Sequence, residues 1–208
     1  MLFNDLIEHI SKRLKEPLPG LSAQRRMASE SRLKWITEGM DISKAKKSGV
    51  LILLYPDHGT PKLVLIQRPD YEGTHGGQVS LPGGKQEKSD QTLIETALRE
   101  TREELGIPSS SIRIIGTLSE LYIPPSNFLV HPVVGYLIEK TDFHPDPVEV
   151  KDIVEVEISS LLDPGCITIR EIHVSGITLT APCYTINGAT IWGATAMILA
   201  ELAEVINS

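Results

Sequence analysis

Three glutamates on one predicted helix constrain this chain more than any other feature. The run RETREELG, residues 99–106, holds Glu100, Glu103 and Glu104. At about 100° per residue, Glu104 lies about 40° from Glu100, and Glu103 lies about 60° to its other side. The three carboxylates therefore share one edge, and Ala97 belongs to an apolar stripe directly beside it. Gly106 is expected to end the helix.

The carboxylate edge predicts a divalent-cation site. Two like charges about 4 Å apart repel by about 4 kcal/mol at the dielectric of a protein surface, and this edge adjoins a buried face. A cation between the carboxylates removes that repulsion, and oxygen ligands favour Mg²⁺ or Mn²⁺. Arg99 is expected to pair with Glu103, four residues later, and Ser89 or Asp90 to cap the helix. The alternative is a solvated acidic face, the usual state of a charge run.

A glycine loop lies directly upstream of this helix. Pro82-Gly83-Gly84 supplies backbone that can approach a ligand closely. Loop and helix together resemble the Nudix box, in which a glycine, a glutamate and the sequence Arg-Glu-x-x-Glu-Glu-x-Gly follow at fixed spacing. The second half matches at residues 99–107, with Thr101 where an apolar residue is usual. The first half is one residue longer than the pattern, and Asp90 is expected to stand in for its glutamate.

The longer spacing resembles the coenzyme A pyrophosphatase branch of the Nudix hydrolases. The upstream signature of that branch aligns on the same glycines, and Arg68, Gly77 and the closing Pro-Gly-Gly agree with it. Gly73 stands where the signature has a second arginine, and Leu81 where it has phenylalanine. The branch implies cleavage of CoA or a CoA derivative to 3′,5′-ADP and (acyl)phosphopantetheine. A hydrolase of the ADP-ribose or NADH type and a non-catalytic Nudix nucleotide-binding module are the alternatives.

The resemblance also implies a fold and a set of site residues. The fold is α/β, a Nudix-type α/β/α sandwich with a mixed β-sheet. The implied metal ligands are a loop carbonyl and the three box glutamates: Gly84, Glu100, Glu103 and Glu104. Arg99 is expected to orient the carboxylates, and Glu103 or Glu149 to take the proton of the attacking water. Glu120 is the second choice for a carboxylate from outside the box.

Residues outside the helix are predicted to contact the substrate: Arg68, His75, Gln78, Asn127 and Phe128. His75 lies in a glycine-rich loop, where it can contact a phosphate or donate a proton. Asn127 and Phe128, together with Tyr122, are expected to form a wall for the base. The alternatives are a histidine incidental to its loop and an aromatic ring tucked under its loop.

The composition limits the classes of partner that are expected for this chain. The net charge of −7 and the pI of about 5.4 leave no basic footprint for a nucleic-acid backbone. No apolar run approaches the roughly 20 residues that span a bilayer, so no membrane partner is expected. Two cysteines without Cys-x-x-Cys spacing indicate free thiols in a reducing cytoplasm. A homodimer is left open.

Two parts of the chain are expected: residues 1–48, an N-terminal helix and basic arm packed on the domain, and residues 49–208, the Nudix hydrolase domain. Residues 22–47 carry seven Lys or Arg against three acidic residues, which predicts a contact with a terminal phosphate of the substrate; solvated surface charge is the alternative. Residues 50–55 and 62–67 are expected as strands buried on both faces. Residues 129–138 are expected as an edge or bulged strand, because proline and glycine interrupt them.

Overall fold

The computed structural model describes residues 2–38, 42–69, 77–174 and 176–208. Its centre is a mixed sheet of eight strands: β1 (Lys46–Asp57), β2 (Thr60–Gln67), β3 (Val79–Ser80), β4 (Gly83–Lys85), β5 (Arg113–Thr117), β6 (Leu121–Ile123), β7 (Phe128–Tyr136) and β8 (Asp152–Glu157). Strand β1 lies in the middle, antiparallel to β2 and β4 and parallel to β7. Strands β5 and β6 pair with β7 on one flank, and β3 and β8 pair with β2 on the other.

Among the described residues, six α-helices and a small second sheet surround these strands. The helices are α1 (Phe3–Arg13), α2 (Leu21–Gln24), α3 (Glu30–Glu38), α4 (Leu93–Leu105), α5 (Ile158–Leu162) and α6 (Gly193–Asn207). The small sheet is antiparallel and consists of β9 (Ile167–Val174), β10 (Ile177–Ile186) and β11 (Ala189–Ile191). Within the described ranges, no helix combines the length and the apolar character needed to cross a bilayer.

Strand β1 is buried on both faces, because successive side chains of a strand point to opposite sides. Leu51 and Leu53 share a core with α4, whereas Ile52 and Leu54 share a second core with α1 and α6. All four side chains are fully buried. The two strands predicted to be buried on both faces are confirmed, and so is the α/β/α sandwich with a mixed sheet.

Strand β7 is not the edge strand that its proline and glycine predicted. It lies between β1 on one side and β5 and β6 on the other. Pro132 pairs with Val50 in the parallel register, and its carbonyl accepts from the backbone N–H of Leu118 at 3.0 Å. The irregularity lies instead in β5, where the register shifts between Ile114 and Gly116. The sheet therefore accommodates the missing backbone N–H of Pro132 in an interior strand.

The N-terminal residues form part of the core. Phe3, Leu6 and Ile10 of α1 are buried with α6 against the sheet. Arg13 Nε donates to Ser208 Oγ at 3.0 Å, which joins the end of α1 to the residue after α6. The described residues before β1 thus cover the sheet face opposite α4.

A buried carboxylate of α6 binds the turn of the chain that follows α1. Glu201 is 0% exposed. It accepts from the backbone N–H of Gly20 at 3.1 Å, from Gln24 Nε2 at 2.8 Å and from the backbone N–H of Ser119 at 3.2 Å. Three donors from two separate segments satisfy one side chain, so Glu201 fixes both segments on the helix.

Candidate active site

Helix α4 begins after Thr92, whose Oγ1 accepts from the backbone N–H of Glu95 at 3.1 Å. It ends at Gly106, which has a left-handed φ of 71°, as predicted. The prediction that Ser89 or Asp90 caps the helix is wrong. The carboxylate of Asp90 contacts the side chain of Arg99 instead. Asp90, in the longer first half of the box, therefore supports the helix through a side-chain contact.

Arg99 is the centre of an ion-pair network at the acidic edge. Its Nε and Nη2 donate to the two carboxylate oxygens of Asp90 at 3.0 and 2.9 Å. Its Nη1 lies 2.9 Å from Glu103 Oε2 and 2.9 Å from Glu100 Oε1, and Nη2 also donates to the carbonyl of Lys85. The Arg99 bonds hold the pKa of Asp90 well below its usual range. One guanidinium thus orients three carboxylates at once.

Glu104 is the buried member of the edge, with 1% of its surface exposed. The backbone N–H of Gly83 donates to its Oε2 at 2.8 Å, and Arg68 Nη2 lies 3.3 Å from its Oε1. The same Arg68 nitrogen lies 3.4 Å from the carbonyl of Gly83. Glu104 is therefore held between β4 and the residue that follows β2.

Two glycines allow the helix and the loop to approach each other closely. A Cβ on Gly84 would lie 2.4 Å from Glu100 Oε1, and a Cβ on Gly49 would lie 2.2 Å from the carbonyl oxygen of Leu93. Gly49 and Gly84 are paired across β1 and β4. Their missing side chains let α4 lie against β1 while the Glu100 carboxylate lies against the backbone of β4.

Burial raises the pKa values of two carboxylates in this cluster. Burial raises the pKa of Glu104 to about 7; Arg68 opposes the increase, and the charges of Glu100 and Glu149 add to it. Burial also raises the pKa of Glu100, with Arg99 opposing and Glu149 again adding. Glu149 is exposed in the turn before β8, yet its charge acts on both helix carboxylates. Glu149, the predicted outside carboxylate, therefore acts on the edge through its charge.

The donor set fits a hard divalent cation. Glu100 and Glu104 present oxygen atoms from one helix, and a cation beside them offsets the burial cost that raises their pKa values. Across the part of the chain that the structure describes, no three His, Cys, Asp or Glu side chains already form a metal-binding group. Arg99 and Arg68 hold the carboxylates in ion pairs.

The predicted substrate residues fall in different places. Arg68 is occupied with Glu104 and is about one quarter exposed. Gln78 lies beside it, since its carbonyl accepts from the backbone N–H of Arg68 at 3.0 Å, and it lines a cleft next to β8. His75 lies outside the described residues. Arg68 therefore contacts the acidic edge from the β2 flank, whereas Gln78 lines the neighbouring cleft.

Asn127 and Phe128 approach the same end of the sheet from the β7 flank. Asn127 accepts from Tyr122 Oη at 3.0 Å and donates to the carbonyl of Lys44 at 3.2 Å. Its side chain thus holds the loop in place. Phe128 packs with the core on the α6 side of the sheet, and Lys46 Nζ lies 5.5 Å from its ring centroid. The ring and the box glutamates therefore lie on opposite faces.

Sequence reasoning missed two pairs at this site. Thr96 Oγ1 donates to Asp90 Oδ2 at 3.0 Å; its position on the helix, three residues before Arg99, was a usable signal. His131 Nδ1 lies 3.4 Å from Glu120 Oε1, and His131 pairs with Gly49 across β1 and β7. Glu120 precedes β6 and His131 lies in β7, so no local sequence pattern predicts this contact.

Comparison with known proteins identifies the family of this chain. The NUDIX domain family matches residues 45–171. An uncharacterized Nudix hydrolase of Yersinia enterocolitica, NudL, is 37% identical over 147 residues, which are 71% of this chain and 75% of that protein. The Yersinia pestis NudL is 35% identical over 147 residues, 71% and 73% of the two chains.

Solved structures share the fold. The Nudix hydrolase RenU from M. smegmatis has a TM-score of 0.56 and 17% identity, covering 87% of this chain and 93% of its own. A MutT/nudix family protein from Enterococcus faecalis has a TM-score of 0.50 and 17% identity, covering 89% and 72%. Nudix hydrolases generally require divalent metal cations. With its family match, its NudL relatives and its carboxylate helix, the chain belongs to the Nudix family and is a hydrolase of phosphoric anhydride bonds.

Proposed function

We propose that the protein is a pyrophosphohydrolase that depends on Mg²⁺ or Mn²⁺ and cleaves CoA or a CoA derivative to 3′,5′-ADP and (acyl)phosphopantetheine. The observation that carries the reaction is the carboxylate edge of α4, where buried Glu104 has a pKa raised to about 7 beside the raised pKa of Glu100. The longer box and the signature residues Arg68 and Gly77 support the choice of CoA.

In this proposal the cation is held by oxygen atoms of the box: the Gly84 carbonyl, Glu100, Glu103 and Glu104. When bound, it supplies positive charge against the diphosphate and lowers the pKa of water. Arg99 positions the glutamates through the contacts described above. Glu149 takes the proton of the attacking water, since its charge already reaches Glu100 and Glu104 from outside the helix. Glu103 is the second candidate for this role.

The substrate is a small nucleoside diphosphate derivative. Arg68, Gln78 and His75 are proposed to contact its phosphates from the β2 flank. Asn127 and Phe128 are proposed to border its base from the β7 flank, where Lys46 adds a cation above the Phe128 ring.

A buried arginine of α3 supports a phosphorylated nucleotide at that flank. Arg32 is 8% exposed, and its Nη2 donates to the carbonyl of Tyr122. In the described part of the chain its Nε donates to no partner and no carboxylate pairs with it. Burial lowers its pKa to about 10, so the guanidinium keeps its charge at neutral pH. The 3′-phosphate of CoA is the anion that we propose for it.

The remaining predictions become part of the same proposal. Residues 1–48 act as an arm packed on the Nudix hydrolase domain of residues 49–208. The free thiols of Cys166 and Cys183 support a reducing cytoplasm. Neither a nucleic acid nor a membrane is proposed as a partner, and a homodimer is compatible with the proposal.

The test is a product analysis. The purified protein is incubated with Mg²⁺ or Mn²⁺ and with CoA, acyl-CoA, dephospho-CoA, ADP-ribose, NADH and nucleoside triphosphates, and products are identified by mass spectrometry. We expect 3′,5′-ADP from CoA, loss of that product in Glu104→Gln, and its retention in Glu95→Gln, a matched change on the same helix. Cleavage of ADP-ribose or NADH instead would discard the CoA assignment. No turnover of any substrate would favour a nucleotide-binding module.

The Arg32 contact has its own measurement. A charge-assisted hydrogen bond contributes about 1.5–3 kcal/mol, so kcat/KM should fall about 10- to 150-fold from CoA to dephospho-CoA. Arg32→Met should remove most of that difference by lowering kcat/KM for CoA alone. Equal kcat/KM values for the two substrates in the unaltered protein would place the 3′-phosphate elsewhere.

A further inference from the structure

A cleft of about 850 Å³ separates the β2–β8 edge of the main sheet from the small sheet β9–β11. Pockets of roughly 300–1,000 Å³ are typical of small-molecule sites. The cleft presents polar and aromatic side chains: Gln67, Gln78, Arg170, Asn187, Thr190 and Trp192. None of the box residues lines it, so it is separate from the carboxylate edge.

The end of β2 connects this cleft to the reacting end of the site. Gln67 is the last residue of β2, and the next residue, Arg68, lies 3.3 Å from Glu104. The backbone N–H of Lys151 donates to the carbonyl of Gln67 at 2.8 Å, which keeps the start of β8 beside it. The backbone of Gln67 is one residue, about 3.3 Å along the chain, from the arginine that contacts the carboxylate edge.

The opposite wall of the cleft is fixed by its own hydrogen bonds. Asn187 Nδ2 donates to the carbonyl of Glu155 at 2.8 Å, which ties the turn between β10 and β11 to β8. Arg170 Nη1 lies 3.5 Å from Thr190 Oγ1 across the small sheet. The cleft is therefore formed before a ligand enters.

Charge discriminates between the two ends of a CoA-like molecule. The cleft lining contains Arg170 together with the acidic residues Asp152, Glu155 and Glu171, and the Glu155 carboxylate is paired with Lys140 at 2.7 Å. The adenosine phosphates carry several negative charges, which these surroundings do not neutralise. The pantetheine arm is uncharged and contains two amide groups, which match the amide side chains of the cleft.

We propose that this cleft binds the pantetheine arm of the substrate. The inference rests on the proposed function for the diphosphate to which that arm is joined. Gln67 exchanges hydrogen bonds with the amides of the arm, and the Trp192 indole packs against its aliphatic part. The nucleotide then lies on the other flank of β1, toward β6 and β7, and the diphosphate lies between them at α4.

Tryptophan fluorescence tests this assignment without catalysis and without metal. The chain has two tryptophans, and Trp35→Phe leaves Trp192 as the only reporter. Titration with pantetheine should give a saturable change in emission, with a dissociation constant on the order of 0.1–1 mM for a ligand of this size. The same concentrations of 3′,5′-ADP should give none. A response to 3′,5′-ADP alone, or to neither compound, overturns the proposal.

Substitutions locate the binding. In the Trp35→Phe background, Gln67→Leu should weaken pantetheine binding about 5- to 10-fold, whereas Gln91→Leu, an exposed glutamine outside the cleft, should not. Thr190→Met, which narrows the cleft, provides a second variant if Gln67→Leu does not fold. Binding that neither cleft variant changes would contradict the location.

The two proposals fail separately. Pantetheine binding without CoA hydrolysis would reject the CoA reaction and keep the cleft as a site for an amide chain. CoA hydrolysis without a pantetheine response, and with an unchanged KM for CoA in both cleft variants, would reject the cleft alone.

Discussion

Replacing Gly84 with alanine should separate the chemistry from the fold. The new Cβ would lie 2.4 Å from Cδ and Oε1 of Glu100, closer than van der Waals contact allows. The carboxylate is the end of a flexible side chain, so it can rotate away by 1 Å or more. An off-rotamer side chain costs about 1 kcal/mol, and the loss of glycine's freedom in the unfolded chain returns about 0.4–1 kcal/mol. The free energy of unfolding should therefore change by less than about 1 kcal/mol.

Activity should respond very differently to the same change. A displacement of about 1 Å at a catalytic group can cost roughly 100-fold in rate, and Glu100 is one of the proposed ligands of the cation. We expect kcat to fall about 100-fold in Gly84→Ala. Urea unfolding followed by circular dichroism measures the first quantity, and product release from the cleaved substrate measures the second.

Gly49→Ala is the matched control, because its Cβ would meet backbone instead of a side-chain end. It would lie 2.2 Å from the carbonyl oxygen of Leu93 and 3.0 Å from the backbone nitrogen of Ala97, and neither atom can rotate away. Overpacking of this kind costs about 3 kcal/mol. A Gly84→Ala protein with unaltered kcat, or one destabilised as much as Gly49→Ala, would refute this account of the close approach.

Three further predictions concern stability. Asp90→Asn loses the paired contact with Arg99 and should lower the free energy of unfolding by about 2 kcal/mol, measured by urea unfolding at pH 7. The pKa of Asp90 is depressed in the folded state, so its contribution to the free energy of unfolding is present above the unfolded carboxyl pKa of about 4. That contribution is lost as pH falls toward the folded pKa. The difference in the free energy of unfolding between the unaltered protein and Asp90→Asn should therefore shrink below about pH 4. Glu201→Leu leaves three N–H groups without their acceptor and should cost about 3 kcal/mol, read from the same experiment.

Each of these has a discriminating control. Asp142→Asn, at an exposed site, should leave stability unchanged. A difference for Asp90→Asn that stays constant down to pH 2 would contradict the depressed pKa. Glu201→Gln keeps an acceptor, so a loss equal to that of Glu201→Leu would show that hydrogen bonding is not the cause.

Local geometry explains what could be predicted from the sequence. The shared edge of Glu100, Glu103 and Glu104 follows from helix periodicity, and the ion pair between Arg99 and Glu103 follows from their spacing. The two buried strands follow from uninterrupted apolar runs, and α4 ends where Gly106 permits a left-handed residue. Each of these inferences uses neighbours within a few positions.

Contacts between distant segments could not be predicted in this way. Arg68 is 36 residues from Glu104, so its role as the partner of that carboxylate depends on the sheet. Asp90 is of a residue type that commonly caps helices. Its carboxylate contacts Arg99 instead, and Thr92 caps the helix. Pro132 suggested an edge for β7, whereas pairing with two neighbours outweighs one missing donor.

The burial of Phe3, Leu6 and Ile10 with α6 also has a consequence for synthesis. One face of the central sheet is completed by the earliest and the latest helices that the structure describes, which lie about as far apart in sequence as two elements of this chain can. Contacts of such long separation slow folding, and apolar surface left open in the meantime is prone to aggregation. During synthesis on the ribosome, this face stays exposed until residues 193–207 have been made. The synthesis of α6 therefore determines when the apolar face of the nascent chain can be buried and its aggregation prevented.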